Sequence, residues 1–198
     1  MSQRLIDADL MPAQMCKKLD DFMHKIQGLS EILHIELSDF QADHIALRIN
    51  DAELAQLAHQ EWLIQGKEIS SAVINGRPII VIEFAQPLKA LGWSIECLEL
   101  PYPAPGKRYP EESWEHVEFV IPSTAETAQE YLDDLKQRFT NFAKHLDQLA
   151  DKGIKIKLSS PKGEGERLNN PTVAFKHQGV CIKLHPHSLK AIVESERA

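Results

Sequence analysis

An acid precedes a histidine at two places in this chain, in Asp43-His44-Ile45-Ala46-Leu47-Arg48-Ile49 and in Glu115-His116-Val117-Glu118-Phe119-Val120-Ile121. Neutral imidazole is the commonest metal ligand among side chains, and two imidazoles at equivalent points of a repeat suit a metal held between two halves of a fold. A single histidine beside an acid is more often a hydrogen-bonded structural group, so the duplication carries the reading. Each histidine also opens an alternation of apolar with other residues, the period of a strand with one buried face. Strict alternation puts Asp43, Ile45, Leu47 and Ile49 on one face and His44, Ala46 and Arg48 on the other. By the same rule His116, Glu118 and Val120 oppose Val117, Phe119 and Ile121.

The elements that must position these residues also repeat. Strand 43–49 runs into Asn50 with Glu53 three residues on, and strand 116–121 into Ser123 with Glu126, each a capping-box pattern that predicts a helix start. A helix over 51–65 and strands over 68–74, 78–85 and 93–100 complete the first unit, with a hairpin at Asn75-Gly76. In the second, apolar residues from Ala128 to Leu149 keep a 3.6-residue period and predict one long helix over 124–150. Strands at 154–158, 172–177 and 180–184 follow, the last two joined at Gln178-Gly179. The order is β-α-β-β-β twice. Upstream, residues 9–33 predict one or two amphipathic helices, with Pro12 in a first turn and Gly28 ending or interrupting the run. The predicted organisation is a helical extension over 1–36 and a two-module domain over 37–198, with module one at about 40–103 and module two at about 113–190. Two polar loops remain, a proline-rich linker at 101–112 and the stretch 159–171, which is either a lid or solvated surface.

Paired β-α-β-β-β modules with a histidine near the start of each first strand resemble the vicinal oxygen chelate superfamily, the glyoxalase and extradiol dioxygenase group. More closely, Asp43-His44-Ile45, Ile74-Asn75-Gly76-Arg77-Pro78-Ile79, Glu99-Leu100-Pro101, Lys107-Arg108-Tyr109-Pro110, Trp114-Glu115-His116 and Ser159-Ser160-Pro161-Lys162-Gly163-Glu164 resemble the bacterial YecM family of that superfamily. The resemblance implies an α+β fold in which the two modules form a cupped mixed sheet. It also implies one divalent metal ion, zinc, manganese, iron or nickel, with ligands from both halves and no assigned reaction. It nominates Glu99, at the end of the fourth strand, as the carboxylate ligand of the first module. In the eighth strand, where metal-binding members place a glutamate, this chain has Lys183, which is no ligand and would neutralise Glu99 instead. His185, two residues on and on the same face, is the candidate for the missing donor.

The expected metal ligands are therefore His44, Glu99, His116 and His185. Arg48, Arg77, Glu118 and Lys183 are the expected substrate-binding residues. Glu118 is also a candidate second ligand or base, since it shares a face with His116. An arginine inside a cup offers a planar fork to a carboxylate or phosphate; the alternative, for Arg48 and more so for Arg77, is a salt bridge to Glu83, Glu96 or Glu118. Lys107-Arg108 and the stretch from Lys162 to Arg167 form a candidate rim for phosphate. Cys181 falls beside Lys183, where a lowered thiol pKa or an inert buried thiol are the two readings.

Composition sets the outer limits. With 43% apolar and 26% charged residues the chain can bury a core, and a formal net charge of −7 repels nucleic acid and anionic lipid. Three widely spaced cysteines make neither a disulfide framework nor a zinc knuckle, and a cytoplasmic setting fits them. No apolar run nears the ~20 residues that span a bilayer. The function expected is a metal-dependent isomerase, lyase or dioxygenase acting on a small oxygen-rich anion. The competing reading is a metal-free module that binds such an anion. Small-molecule ligands, not nucleic acid or membrane, are the expected partners of a monomer or homodimer.

Overall fold

The computed structural model describes residues 2–74, 76–160 and 168–197. Asn75 of the hairpin motif and 161–167, which include the Lys162 to Arg167 rim, lie outside the described residues. Three helices lead the chain, α1 (Gln3–Asp7), α2 (Pro12–Lys17) and α3 (Leu19–Leu33). Pro12 opens α2 at its first turn, where its missing N–H costs nothing. Gly28 does not end α3; the helix runs through it to His34, whose positive φ of 56° closes the last turn.

Two modules follow. The first is β1 (Gln41–Leu47), α4 (Ala52–Trp62), β2 (Gly66–Ile74), β3 (Arg77–Ala90) and β4 (Trp93–Pro101). The second is β5 (Trp114–Val120), α5 (Ala128–Arg138), α6 (Thr140–His145), β6 (Lys155–Ser159), β7 (Thr172–His177) and β8 (Val180–His185), and α7 (Leu189–Arg197) comes last. All eight strands form one mixed sheet in the order β2-β3-β4-β1-β5-β8-β7-β6. In each module the first strand runs parallel to the last, and the modules meet where β1 and β5 pair antiparallel. This is the expected α+β architecture. No described helix is long and apolar enough to cross a membrane.

The predicted long helix is instead two, broken at Phe139, whose φ/ψ of −112°/83° is not helical. Tyr131, Leu135 and Phe142 are all buried in the same core, so one apolar period spans the break and hides it. Both helix starts fall later than the capping patterns indicated. Asp51, not Asn50, caps α4 by accepting from the Leu54 N–H at 2.8 Å, and Thr127 with Glu130 forms the capping box of α5. Asn50 holds the linker instead: its amide donates to the Tyr109 carbonyl at 2.9 Å and its oxygen accepts from the Tyr109 N–H at 2.7 Å. Ile74 pairs with Arg77 across the first tight turn, where Gly76 has φ 76°. His177 pairs with Val180 across the second, where Gln178 and Gly179 both have positive φ, as a type I′ hairpin requires.

Ile45, Leu47, Val117, Phe119 and Ile121 share one continuous core with buried residues of α3, α4 and α5. Two indole N–H groups tie the N-terminal segment to the sheet, Trp93 to the Leu37 carbonyl in the connection after α3 at 3.1 Å and Trp114 to the Met15 carbonyl of α2 at 2.9 Å. The other face carries the titratable residues. A cavity of about 200 Å³ is lined by Ile79 of β3 and by Thr172 and Lys183 of β7 and β8, so the sheet curls until its two halves face each other.

Candidate metal centre

The acid before each histidine is the extra residue of a β-bulge. Between the pairs Ala42–Phe119 and His44–Glu118, β1 advances two residues while β5 advances one. Between Ala46–His116 and Leu47–Trp114 the excess lies on β5. Asp43 and Glu115 are the supernumerary residues, and a bulge re-aims the side chains around it. The core therefore takes Ala42 and Ile45 from β1, and Trp114 and Val117 from β5, three apart rather than two. Asp43 thus does not share the core face with Ile45, as strict alternation predicted; it turns to the side of His44 and the start of α7.

Each acid then holds its own neighbour's ring. His44 Nδ1 lies 3.0 Å from Asp43 Oδ2, and His116 Nδ1 bonds Glu115 Oε2. A carboxylate only accepts, so each Nδ1–H donates and each Nε2 is directed to the opposite side. The His44 and His116 Nε2 atoms are buried and make no hydrogen bond among the described residues. Around them stand Glu118 Oε1, at 3.2 Å from His44 and 3.0 Å from His116, and the Glu99 carboxylate, at 3.6 and 3.8 Å. Four donor atoms, one each from His44, Glu99, His116 and Glu118, all lie within 4.8 Å of one another. Donors about 2.1 Å from a common tetrahedral ion stand roughly 3.4 Å apart, so these separations bracket what a small dication needs.

The repeat extends to the strands beside the histidines. His44 stands opposite Cys97 and Ala46 opposite Glu99, while His116 stands opposite Cys181 and Glu118 opposite Lys183. The second module has therefore moved its carboxylate from the last strand to the first and set a lysine in the vacated place. Lys183 Nζ lies 2.7 Å from Glu118 Oε1, so its ion pair is with Glu118 rather than with Glu99 as expected. Arg48 pairs with Glu115 at 3.0 Å and approaches Glu99 at 3.9 Å, not Glu83, Glu96 or Glu118, and lies against the Tyr109 ring. Asp43, Glu99, Glu115 and Glu118 against Arg48 and Lys183 leave a formal excess of two negative charges, the imidazoles not counted. One dication cancels it.

Without that cation His44 answers for part of the charge. Burial opposes protonation of His44, but the Glu118 charge, the hydrogen bond to Asp43 and the nearness of the Glu118 and Glu99 carboxylates raise its pKa well above the ordinary value. Burial also works against ionised Glu99, yet the nearby His44 ring, Lys183 and His116 hold it down at about 2. Glu118 is brought well below the carboxylate range against burial by Lys183 and His44. Burial pushes the Cys181 thiol up to about 12, so it is the inert reading that fits, despite Lys183 nearby.

His185 is buried, with Nε2 3.1 Å from Glu118 Oε2 and 3.8 Å from Asp43 Oδ2. It groups with Asp43 and His44 rather than with the four donors above. Arg77 lies at the cavity wall and donates to the Tyr102 carbonyl at 3.2 Å. The sequence reading assigned no role to Asp43 or Glu115 in orienting the rings, although the acid-histidine pairs were its first signal. It also missed the roof: Leu189 and Ile192 of α7 line the cavity, and the Leu189 N–H donates to Asp43 Oδ2 at 2.8 Å. Lys190 fastens this helix to Glu83 at 2.7 Å and Glu96 at 3.0 Å.

Two β-α-β-β-β modules curled round one cavity, with a histidine from each first strand set against carboxylates of both modules, define a paired-module protein with a candidate metal centre between its halves. The sequence profile of the YecM family, described as YecM protein, matches residues 11–196, and the chain belongs to that family. Protein YecM of Escherichia coli (strain K12) is 37% identical over 185 residues, covering 91% of each chain. An uncharacterized protein of Haemophilus influenzae is 38% identical over 178 residues, covering 85% of this chain and 86% of its own. The solved structure of Protein EC4020 has a TM-score of 0.77 at 32% identity, over 93% of this chain and 92% of that one.

Proposed function

We propose that this protein holds one divalent metal ion through His44, His116 and Glu99, with Glu118 and His185 as further donors, and binds a small oxygen-rich anion there. The observation that carries the proposal is the pair of buried, unbonded Nε2 atoms, each ring fixed by a carboxylate at Nδ1 and both directed at Glu99 and Glu118. Zinc, manganese, iron or nickel suits a set of imidazoles and carboxylates. Such an ion, when bound, supplies a Lewis acid for an enolate or for a substrate with two adjacent oxygens, which fits isomerase, lyase or dioxygenase chemistry alike. The chain's own contribution is positional. Asp43 and Glu115 fix the tautomers, Arg48 holds Glu115 in place, Lys183 keeps Glu118 ionised, and Arg77 faces the anion from the wall. Leu189 and Ile192 exclude water from above. The three free cysteines suit a reducing compartment such as the cytoplasm.

The metal-free anion module is the second reading, and Lys183 is the residue that favours it. Its charge, however, is engaged by Glu118 at 2.7 Å, and that of Arg48 by Glu115. An anion entering the inner cavity without a metal would meet the excess of negative charge. The test is metal content by plasma mass spectrometry on protein purified without a His tag or chelator, beside the His44→Ala, His116→Ala double variant. Near-stoichiometric metal in the wild type and none in the variant is the expected result. Wild-type protein that is metal-free and takes up neither added zinc, manganese nor iron would replace this reading with the anion module.

A further inference from the structure

The inner cavity of about 200 Å³ is continuous in its lining with an outer one of about 510 Å³: Ile74, Arg77, Glu118, Thr172 and Lys183 border both. The two differ in character. The inner one is lined by His44, His185, Glu99 and Glu118 and by the apolar Ile79, Leu189 and Ile192. The outer one adds Lys157, Ser159 and Ser160 to the shared Arg77 and Lys183, with Glu118 as its one carboxylate among the described residues. Arg77 and Lys157 make no ion pair among the described residues, and Arg77 spends only one Nη1 hydrogen bond, on the Tyr102 carbonyl. Buried charge in the inner cavity closes with a dication, so the negative charge of an incoming ligand has no compensating partner there. It has two on the outer side of Lys183.

Resting on the metal reading above, we infer that the ligand is two-ended: a chelating oxygen head in the inner cavity, a short aliphatic link between the isoleucine walls, and a second anionic group held by Arg77 and Lys157 in the outer cavity. That group is a carboxylate or a phosphate. Both accept from a guanidinium fork and an ammonium, with the Ser159 and Ser160 hydroxyls alongside.

Calorimetric titration of the zinc-loaded protein with glycerate, malate and 3-phosphoglycerate tests the inference. All three carry the same 2-hydroxy carboxylate head; the first lacks a distal anion, the second adds a carboxylate and the third a phosphate. The expected result is that malate or 3-phosphoglycerate binds at least about tenfold more tightly than glycerate, which corresponds to about 1.4 kcal/mol. Lys157→Ala should erase most of that gain while leaving glycerate affinity and zinc stoichiometry unchanged, and Arg77→Ala should erase it with zinc stoichiometry unchanged. The stronger of the two distal anions identifies its chemistry. Equal affinity for the three probes, or a gain that survives in both variants, overturns the two-ended ligand and leaves the metal site standing. Protein that takes up neither zinc, manganese nor iron overturns the metal reading itself, and with it the premise of this inference.

Discussion

Replacing Lys183 by methionine keeps the aliphatic stem and removes the charge. In the metal-free protein this strands the Glu118 carboxylate, whose side chain is 10% exposed and which the lysine contacts at 2.7 Å. Deleting one partner of a buried ion pair costs about 3–5 kcal/mol. The Lys183 side chain is 26% exposed, so the low end, about 3 kcal/mol, is the appropriate figure. For a domain of this size each kcal/mol moves Tm by about 2–4 °C, which gives a fall of about 6–12 °C. A bound dication would take over the lost compensation, because the same Glu118 oxygen stands 3.0 and 3.2 Å from the two Nε2 atoms. Thermal unfolding of wild type and Lys183→Met, each in chelator and in excess zinc, measures both effects. The variant should lose the full margin in chelator and recover most of it in zinc. Equal losses in the two conditions, or none in chelator, would refute the claim that Lys183 and a metal serve the same carboxylate.

Asp43→Asn and Glu115→Gln each weaken the brace on one imidazole, and each should reduce zinc affinity by about 10–100-fold with the fold intact, read by competition with a chromophoric chelator and by circular dichroism. Because His44 titrates well above its ordinary value, the metal-free protein carries its proton at pH 7, and zinc uptake should release a proton into weakly buffered solution. That raised value stabilises the metal-free fold below about pH 6.5 and is lost as pH rises through the folded pKa, whereas the stability from Glu99 is present above about pH 4.5 and is lost as pH falls toward its depressed value of about 2. Acid titration of stability should therefore show its loss within that lower window. Lys190→Ala removes the pairs that fasten α7, worth up to about 1 kcal/mol at this half-exposed position, and should speed amide exchange in 189–197 up to about fivefold without changing exchange in β1 or β5.

Much of this arrangement is legible in the residues because the chain repeats itself. Alternation around His44 and His116 gave both first strands, and Gly76 and Gly179 marked the turns, since those signals depend only on near neighbours. What was hidden depends on pairing across strands. Neither bulge shows in the local alternation: Asp43 looks like a core-face residue until β1 is laid against β5 and found one residue too long. The choice of Glu118 over Glu99 as the partner of Lys183 is likewise fixed by the β5–β8 register, not by any local pattern. The break at Phe139 escaped because both helical pieces bury the same stripe. Asn50 misled as a cap because an amide that can cap a helix can equally well hold a loop, and the linker at Tyr109 was nearer.

The most direct measurement is an anomalous difference map from a crystal of the protein grown with zinc. A single strong peak about 2.0–2.2 Å from His44 Nε2, His116 Nε2 and a Glu99 oxygen is the predicted result. A peak elsewhere, or none at this place in crystals that hold zinc at full occupancy on other residues, would contradict a metal centre shared by the two modules.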